Sequence, residues 1–146
     1  MNFFYSLFFI LGLLASAPYW IWRAWRKREL GLTWARLGLT AWPPPIRNPK
    51  SEIPNPILWI HAVSVGEVQA ARPLVEAILR RDPARPMVLS VTTRTGMEVA
   101  KRALAAMPAV AGPLPFPLDV PWAVSRRLDE IQPAAIVFID TELWPN

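Results

Sequence analysis

The amino terminus carries the feature that most restricts the fold of this chain: no charged side chain occurs before Arg23. Residues 1–22, MNFFYSLFFILGLLASAPYWIW, are mostly apolar or aromatic. As a helix rising ~1.5 Å per residue they reach about 33 Å, enough to cross the ~30 Å hydrocarbon layer of a bilayer. Pro18 limits an unkinked helix to about Phe3–Ala17. A mean hydropathy of +0.23 is also high for a soluble domain, so we predict that part of the chain meets lipid.

Aromatic and basic residues follow this apolar run. Tyr19, Trp20 and Trp22 stand at its end, and the basic residues Arg23, Arg26, Lys27 and Arg28 follow. This order is typical of an aromatic belt followed by a cytoplasmic basic flank. The alternatives are a signal peptide, whose basic residues would precede the apolar run, and a buried core helix. We predict a membrane-anchor helix with its basic flank over residues 1–28 and the remainder on the cytoplasmic side.

The net excess of positive charge lies at one end of the chain. The formal net charge is +5, of which residues 1–50 contribute +6 and residues 51–146 contribute −1. The basic segment therefore suits anionic lipid headgroups better than it suits nucleic acid. With no cysteine and one histidine, the chain cannot form a disulfide framework, a thiolate nucleophile or a Cys/His zinc site.

Proline and apolar patterning divide the rest of the chain. Residues 43–56 hold six prolines without apolar periodicity, and we assign residues 29–56 as a stiff connector. Residues 57–146 form the predicted domain, in which apolar runs alternate with helical stretches. The runs begin at Ile57, Met87, Val110 and Ala134, and the helical stretches cover about 67–81, 96–106 and 122–131. This alternation predicts βαβ units, an α/β fold and a parallel sheet covered on both faces.

Loops at the carboxyl ends of these strands are where an open parallel sheet binds ligands. They are predicted at Ser64–Glu67, Thr92–Gly96, 115–121 and 140–146. Thr95 is expected to cap the helix that begins at Gly96. Pro73 is expected to bend the first helix of the domain or to delay its start to Arg72.

Several familiar motifs are absent or incomplete. The segment from Ala62 to Gly66 resembles the nucleophile elbow of serine hydrolases. In enzymes with this elbow, the histidine base comes after the serine in the chain. His61 instead precedes Ser64 and lies on the opposite face of the predicted strand, which excludes a serine hydrolase. Neither the dinucleotide nor the P-loop glycine pattern occurs. What remains is a helix N-terminus at Gly66–Gln69 that suits an anion or a polar oxygen.

Charged residues in the predicted loops allow both structural and chemical roles. Glu67 lies at the start of a predicted helix. The helix dipole favours a negative charge at this position, which is the structural interpretation. The position is also at the carboxyl edge of the sheet, where a carboxylate could act as a general base. Arg94 suits a phosphate or a carboxylate, which a guanidinium binds bidentately. Asp140 and Glu142 follow the last strand, where solvated loop charges are the ordinary interpretation.

Taken together, four segments resemble the amino-terminal half of bacterial 3-deoxy-D-manno-octulosonic acid (Kdo) transferases in order and spacing. They are HAVSVGEVQAARPL from His61, VTTRTG from Val91, PFPLDVP from Pro115 and TELWPN from Thr141. The resemblance covers residues 55–146, and the amino-terminal anchor of that family agrees with residues 1–28. It implies a Rossmann-like parallel sheet, the amino-terminal half of a GT-B glycosyltransferase. It also implies transfer of Kdo from CMP-Kdo to the lipid A precursor (lipid IVA) at the cytoplasmic face of the inner membrane.

The same resemblance implies roles for individual residues. Glu67 matches the family's proposed general base for an inverting transfer, and no cofactor, catalytic metal or nucleic acid is implied. Asp140 stands where the family usually has Glu, so Glu142 is the preferred acid of the last motif. The residues expected to bind substrate are Ser64, Gly66, Arg94, Thr95 and Glu142.

In the family, more of the first domain and then a second domain with most of the CMP-Kdo site follow the region matched here. We therefore expect this chain to be a fragment without transferase activity of its own, with an unpaired sheet edge. Two alternatives remain: another GT-B transferase acting on lipid-linked sugars, and a membrane-tethered α/β binding module without catalysis.

Overall fold

A computed structural model describes residues 3–26, 30–40 and 57–139. Its elements are α1 (Phe3–Arg26), α2 (Leu30–Arg36), β1 (Ile57–Ala62), α3 (Val65–Arg81), β2 (Met87–Val91), α4 (Arg94–Leu104), β3 (Val110–Pro115), α5 (Pro121–Ile131) and β4 (Pro133–Phe138). The alternation confirms an α/β fold preceded by an apolar helix. Residues 41–56 of the predicted connector, and the last motif with Asp140 and Glu142, lie outside the described residues.

The four strands form one parallel sheet in the order β3-β2-β1-β4. From β1 to β3 the chain moves in one direction across the sheet, whereas β4 pairs with the other side of β1. The strand order therefore reverses between β1 and β4. In open α/β sheets, the crevice beyond the carboxyl ends of the strands at such a reversal is the usual ligand site.

Helices α3 and α4 bury one face of this sheet. Their inward residues recur at helical spacing and meet alternate residues of β1 and β2; together these include Val68, Ala71, Val75, Ala100, Leu104, Ile60, Ala62, Leu89 and Val91. Fully burying a large apolar side chain contributes roughly 1.5–3 kcal/mol relative to leaving it exposed. This packing fixes both helices with their N-termini at the carboxyl edge of the sheet.

The structure sets the bounds of two helices that contain proline and corrects one predicted cap. Helix α1 continues past Pro18 to Arg26, and α3 begins at Val65 and runs through Pro73. Pro73 is exposed, so the carbonyl that loses its helical partner can be hydrated. Thr93 rather than Thr95 caps α4, because its extended backbone places its hydroxyl 3.2 Å from the N–H of Gly96.

The chain divides into two compact units. The sheet unit contains the four strands with α3 and α4, and the helical unit contains α1, α2 and residues 117–129. In the helical unit the guanidinium of Arg127 is fully buried and donates to the carbonyls of Ala35 and Thr40, at 2.8 and 2.7 Å. Burial also lowers the pKa of the Arg36 guanidinium. The end of α2 is therefore held by buried polar contacts.

Gly96 sets the closest approach between α4 and the loop before α3. A Cβ there would lie 2.8 Å from both Thr93 Oγ1 and Val91 Cγ1, and 3.3 Å from the carbonyl carbon of Ser64. Gly96→Ala is expected to lower the free energy of unfolding by about 1–3 kcal/mol, as overpacking commonly does. Chemical denaturation in detergent measures the change. Gly66→Ala is the matched control, because its Cβ would meet only Ser64 Oγ at 4.0 Å; equal losses in both variants would contradict this prediction.

Candidate active site

Glu67 lies half-buried in the first turn of α3, immediately beyond the carboxyl end of β1. Its Oε2 accepts a hydrogen bond from the N–H of Val63 at 2.6 Å, and its Oε1 accepts one from the hydroxyl of Ser64 at 2.7 Å. Ser64 is the N-cap of α3, so the arrangement is close to a capping box, in which the third helical residue reaches back over the helix start. The two bonds hold the carboxylate in one orientation at the edge of the sheet.

The Glu67 carboxylate can still accept a hydrogen bond from a substrate while it holds Val63 and Ser64. Each carboxylate oxygen has a second lone pair besides the one that accepts from Val63 or Ser64. A substrate hydroxyl can therefore donate to Glu67 without displacing either partner. A carboxylate that is already oriented is also what general-base catalysis requires, because catalysis depends on the position of the base.

The β2–α4 loop lies directly against the β1–α3 loop. The N–H of Thr93 donates to the carbonyl of Val63 at 3.1 Å, and Gly96 fits against Ser64. Arg94 and Thr95 are the first two residues of α4, and both are exposed. The structure thus gathers five of the predicted site residues at the starts of two adjacent helices; they are Ser64, Gly66, Glu67, Arg94 and Thr95. Helix N-termini attract negative groups, so this edge suits an anionic ligand.

His61 lies on the face of the sheet opposite to α3 and α4. It is buried, its Nδ1 lies 3.0 Å from Ser90 Oγ, and its ring stacks on Phe116 with centroids 3.7 Å apart. The indole N–H of Trp59 donates to the same Ser90 hydroxyl at 2.7 Å. Since the hydroxyl of Ser64 donates to Glu67, no Ser64–His61 pair forms, in agreement with the exclusion of a serine hydrolase.

Sequence reasoning missed this buried polar network. Two signals were present: alternation places Trp59 and His61 on one face of β1, and Ser90 interrupts an otherwise apolar β2. The pairing of His61 with Ser90 depends on the register between the strands, which is a tertiary property. A buried network of this kind favours one register, because a shifted strand would leave its polar atoms without partners.

A second surface feature is a groove of about 270 Å³ between α3 and α4. It is lined by Val68, Gln69, Arg72, Val99, Arg102 and Ala103. None of the predicted site residues lines this groove, and Arg72 is paired with Glu76 at 2.7 Å. We place the candidate site at the carboxyl edge instead, because the strand order reverses there. Among the described residues, no three His, Asp or Glu side chains are grouped closely enough to hold a metal ion.

Comparison with known proteins decides the family. Residues 33–146 match the family described as 3-deoxy-D-manno-octulosonic-acid transferase (kdotransferase). The chain belongs to the Kdo transferase family. This confirms the resemblance found in the four sequence segments, and it confirms that the chain comes from a family of glycosyltransferases.

Individual Kdo transferases show the same relationship. The 3-deoxy-D-manno-octulosonic acid transferase of Bordetella pertussis is 35% identical over 151 residues, which cover 94% of this chain and 32% of the relative. A probable mitochondrial enzyme of that name from Arabidopsis thaliana is 34% identical, over 81% of this chain and 27% of the relative. The Haemophilus influenzae enzyme is 38% identical over 61% of this chain and 20% of the relative. The chain thus spans about a third or less of these relatives, and no solved structure gives a significant match.

The contact between Ser64 and Glu67 predicts a measurable coupling free energy. Ser64→Ala and Glu67→Ala should each lower the free energy of unfolding by roughly 0.5–2 kcal/mol, because each removes the hydrogen bond from the Ser64 hydroxyl to the Glu67 carboxylate. The double variant should lose less than the sum, because both changes remove the same bond. Denaturation of the four proteins measures the coupling. The exposed Arg72–Glu76 pair on the same helix is the control, expected at about 0.3–0.5 kcal/mol; additive losses at Ser64 and Glu67 would contradict the prediction.

Proposed function

We propose that this chain forms the acceptor side of an inverting transferase that moves Kdo from CMP-Kdo to the lipid A precursor, lipid IVA, with Glu67 as the general base. The observation that carries this proposal is the orientation of the Glu67 carboxylate. It is half-buried at the reversal of strand order and is held by Val63 and Ser64. The reaction is proposed to take place at the cytoplasmic face of the bacterial inner membrane.

In this reaction Glu67 accepts the proton of a sugar hydroxyl on the acceptor. The oxygen of that hydroxyl attacks the anomeric carbon of Kdo from the face opposite to the phosphate. The new C–O bond forms as the bond from the anomeric carbon to the phosphate oxygen breaks, and CMP leaves with the electron pair. Because the displacement is direct, the configuration at the anomeric carbon inverts. Proton transfer to a positioned carboxylate contributes typically 10²–10⁴-fold to such a rate.

The residues around Glu67 are proposed to bind the negative groups of the substrates. Gly66 is exposed and has open space where a side chain would stand, so a ligand can approach the backbone at the start of α3. The guanidinium of Arg94 and the hydroxyl of Thr95, at the start of α4, suit a phosphate or a carboxylate. Glu142 is proposed from its sequence motif alone.

A lipid-linked acceptor favours an enzyme held at the membrane. Among the described residues, one stretch, Tyr5–Arg23 of α1, is long and apolar enough to cross a bilayer, by length and composition only. Only 6% of it is buried within the protein. We propose that α1 anchors the enzyme to the inner membrane, with the basic residues at its end near anionic headgroups.

Substitution of the proposed base tests the mechanism. In a full-length transferase that contains this segment, Glu67→Gln is expected to lower kcat by roughly 10²–10⁴-fold while both KM values change little, because the amide cannot take the proton. Transfer of labelled Kdo from CMP-Kdo to lipid IVA is the measurement. Glu98→Gln, at an exposed position of α4, is the matched control. Undiminished turnover in Glu67→Gln would remove Glu67 as the base.

The same assay separates the alternatives. If the unsubstituted full-length protein transfers a sugar from another donor and not Kdo, it acts on a different lipid-linked sugar. If it binds the lipid but transfers nothing from any nucleotide sugar, the non-catalytic binding module is favoured.

The role proposed for Arg94 predicts a different kinetic change. A hydrogen bond to a charged group contributes about 1.5–3 kcal/mol, so Arg94→Gln is expected to raise KM for one substrate by roughly 10-fold or more with little change in kcat. Arg102→Gln, further along α4, is the control. A fall in kcat with both KM values unchanged would contradict a role for Arg94 in substrate binding.

A further inference from the structure

Both ends of the segment from Tyr5 to Arg36 are bonded to two adjacent residues before α5. The hydroxyl of Tyr5 donates to the carboxylate of Asp119 at 2.8 Å. The carbonyl of Arg36 accepts from the N–H of Leu118 at 2.8 Å. Both ends of the segment that contains α1 and α2 therefore meet at one place within the helical unit, directly before α5.

The return of this segment is firmly held. Besides the bonds from Arg127 to Ala35 and Thr40, the indole N–H of Trp122 donates to the carbonyl of Leu37 at 3.1 Å. At the other end, Asp119 is 96% buried, since its relative exposure is 4%. Both ends of the Tyr5–Arg36 segment are thus attached through at least one buried residue, which is Asp119 at one end and Arg127 at the other. The two attachments are therefore part of the folded helical unit.

Helix α1 is shielded on one side from Tyr5 to Ala17, and residues 18–22 are exposed on every face. Its more shielded residues recur at helical spacing, and they are Tyr5, Ser6, Phe9, Ile10, Leu13, Ser16 and Ala17. The opposite side exposes large apolar residues, which include Leu7, Phe8, Leu11 and Leu14. A helix that crosses a bilayer alone would expose all of its faces to lipid, whereas a helix lying on a protein surface exposes one.

A spanning arrangement conflicts with these contacts. Tyr5 and Arg23 are about 27 Å apart along a helix, so a crossing helix with its basic end in one interface would place Tyr5, and with it Asp119, near the other. Leu118 is adjacent to Asp119 and is bonded to Arg36, so both would lie near that second interface as well. The chain from Arg26 to Arg36, with its charged residues 27–29, would then have to cross the hydrocarbon a second time. Each charged residue at the bilayer centre costs about 2.5–3.5 kcal/mol on insertion scales.

We propose that α1 lies in the plane of one membrane interface, with its two ends at the same leaflet, and that the partner of its exposed face is the surface of a bilayer with anionic headgroups. This inference rests on the membrane association proposed above. The end of the helix has the chemistry of an interface: the guanidinium of Arg23 lies 5.8 Å from the Trp20 ring centroid, and that of Arg26 lies 5.3 Å from the Trp22 ring centroid. Tryptophan and arginine at headgroup depth hold a helix at this level.

Labelling of single thiols tests the arrangement. The chain has no cysteine, so each introduced thiol is unique. Asn2→Cys reports on the amino terminus of α1, and Glu98→Cys, at an exposed position of α4, reports on the side that holds the sheet unit. Both proteins are treated with a membrane-impermeant maleimide in right-side-out spheroplasts, in inverted inner-membrane vesicles and after detergent solubilisation. We expect both thiols to react in inverted vesicles and neither in spheroplasts.

Two results would overturn the in-plane arrangement. Reaction of Asn2→Cys in spheroplasts while Glu98→Cys reacts in inverted vesicles would show that α1 spans the bilayer. Reaction of Asn2→Cys only after solubilisation would place the amino terminus within the bilayer rather than at its interface. Recovery of the chain free of membranes would instead remove the proposed membrane association itself. None of these labelling results depends on transferase activity. If the Glu67→Gln assay contradicts the proposed mechanism, the labelling experiment therefore still tests the arrangement of α1.

Discussion

The two hydrogen bonds of the Val63 backbone hold the candidate site together. Its N–H donates to Glu67, and its carbonyl accepts from Thr93 in the neighbouring loop. Val63 directly follows β1, so its bond with Thr93 forms only when β1 and β2 pair in their observed register, whereas its bond with Glu67 joins residues four apart in the chain. Gly96 permits the approach, because any larger residue would meet Val91 and Thr93. The approach of the α4 N-terminus to Glu67 therefore depends on the central pair of strands.

One carboxylate serves two purposes in this arrangement. In the fold, Glu67 accepts from the N–H of Val63 and the hydroxyl of Ser64, which would otherwise lose hydrogen bonds on burial. As the proposed base, it gains a fixed orientation from the same two donors. Stability and catalysis are then linked, since replacing the residue changes both. A glutamine at this position separates them best, because it keeps the shape and one acceptor oxygen while losing the basic group.

The attachment of the Tyr5–Arg36 segment at both ends bears on how the proposed lipid acceptor would be reached. A spanning helix on a proline-rich connector would act as a tether and allow a wide range of domain orientations. In the proposed in-plane arrangement, the Tyr5–Asp119 and Arg36–Leu118 contacts would restrict the helical unit to one presentation toward the interface. For a substrate confined to the bilayer, such restriction lowers the orientational cost of each encounter.

The sequence by itself determined the α/β alternation, the apolar helix, the family and the placement of Ser64, Glu67 and Arg94 in loops at the carboxyl ends of strands. The alternation and the apolar helix follow from the local pattern of apolar residues. The family and the loop positions follow from short sequence motifs. It did not determine that Thr93 caps α4, that β4 pairs with β1, or that His61 meets Ser90. A cap depends on the backbone path through a run of threonines, and strand order and register depend on contacts between distant residues. The same holds for Tyr5 and Asp119, which are 114 residues apart and meet only because the helical unit folds around both.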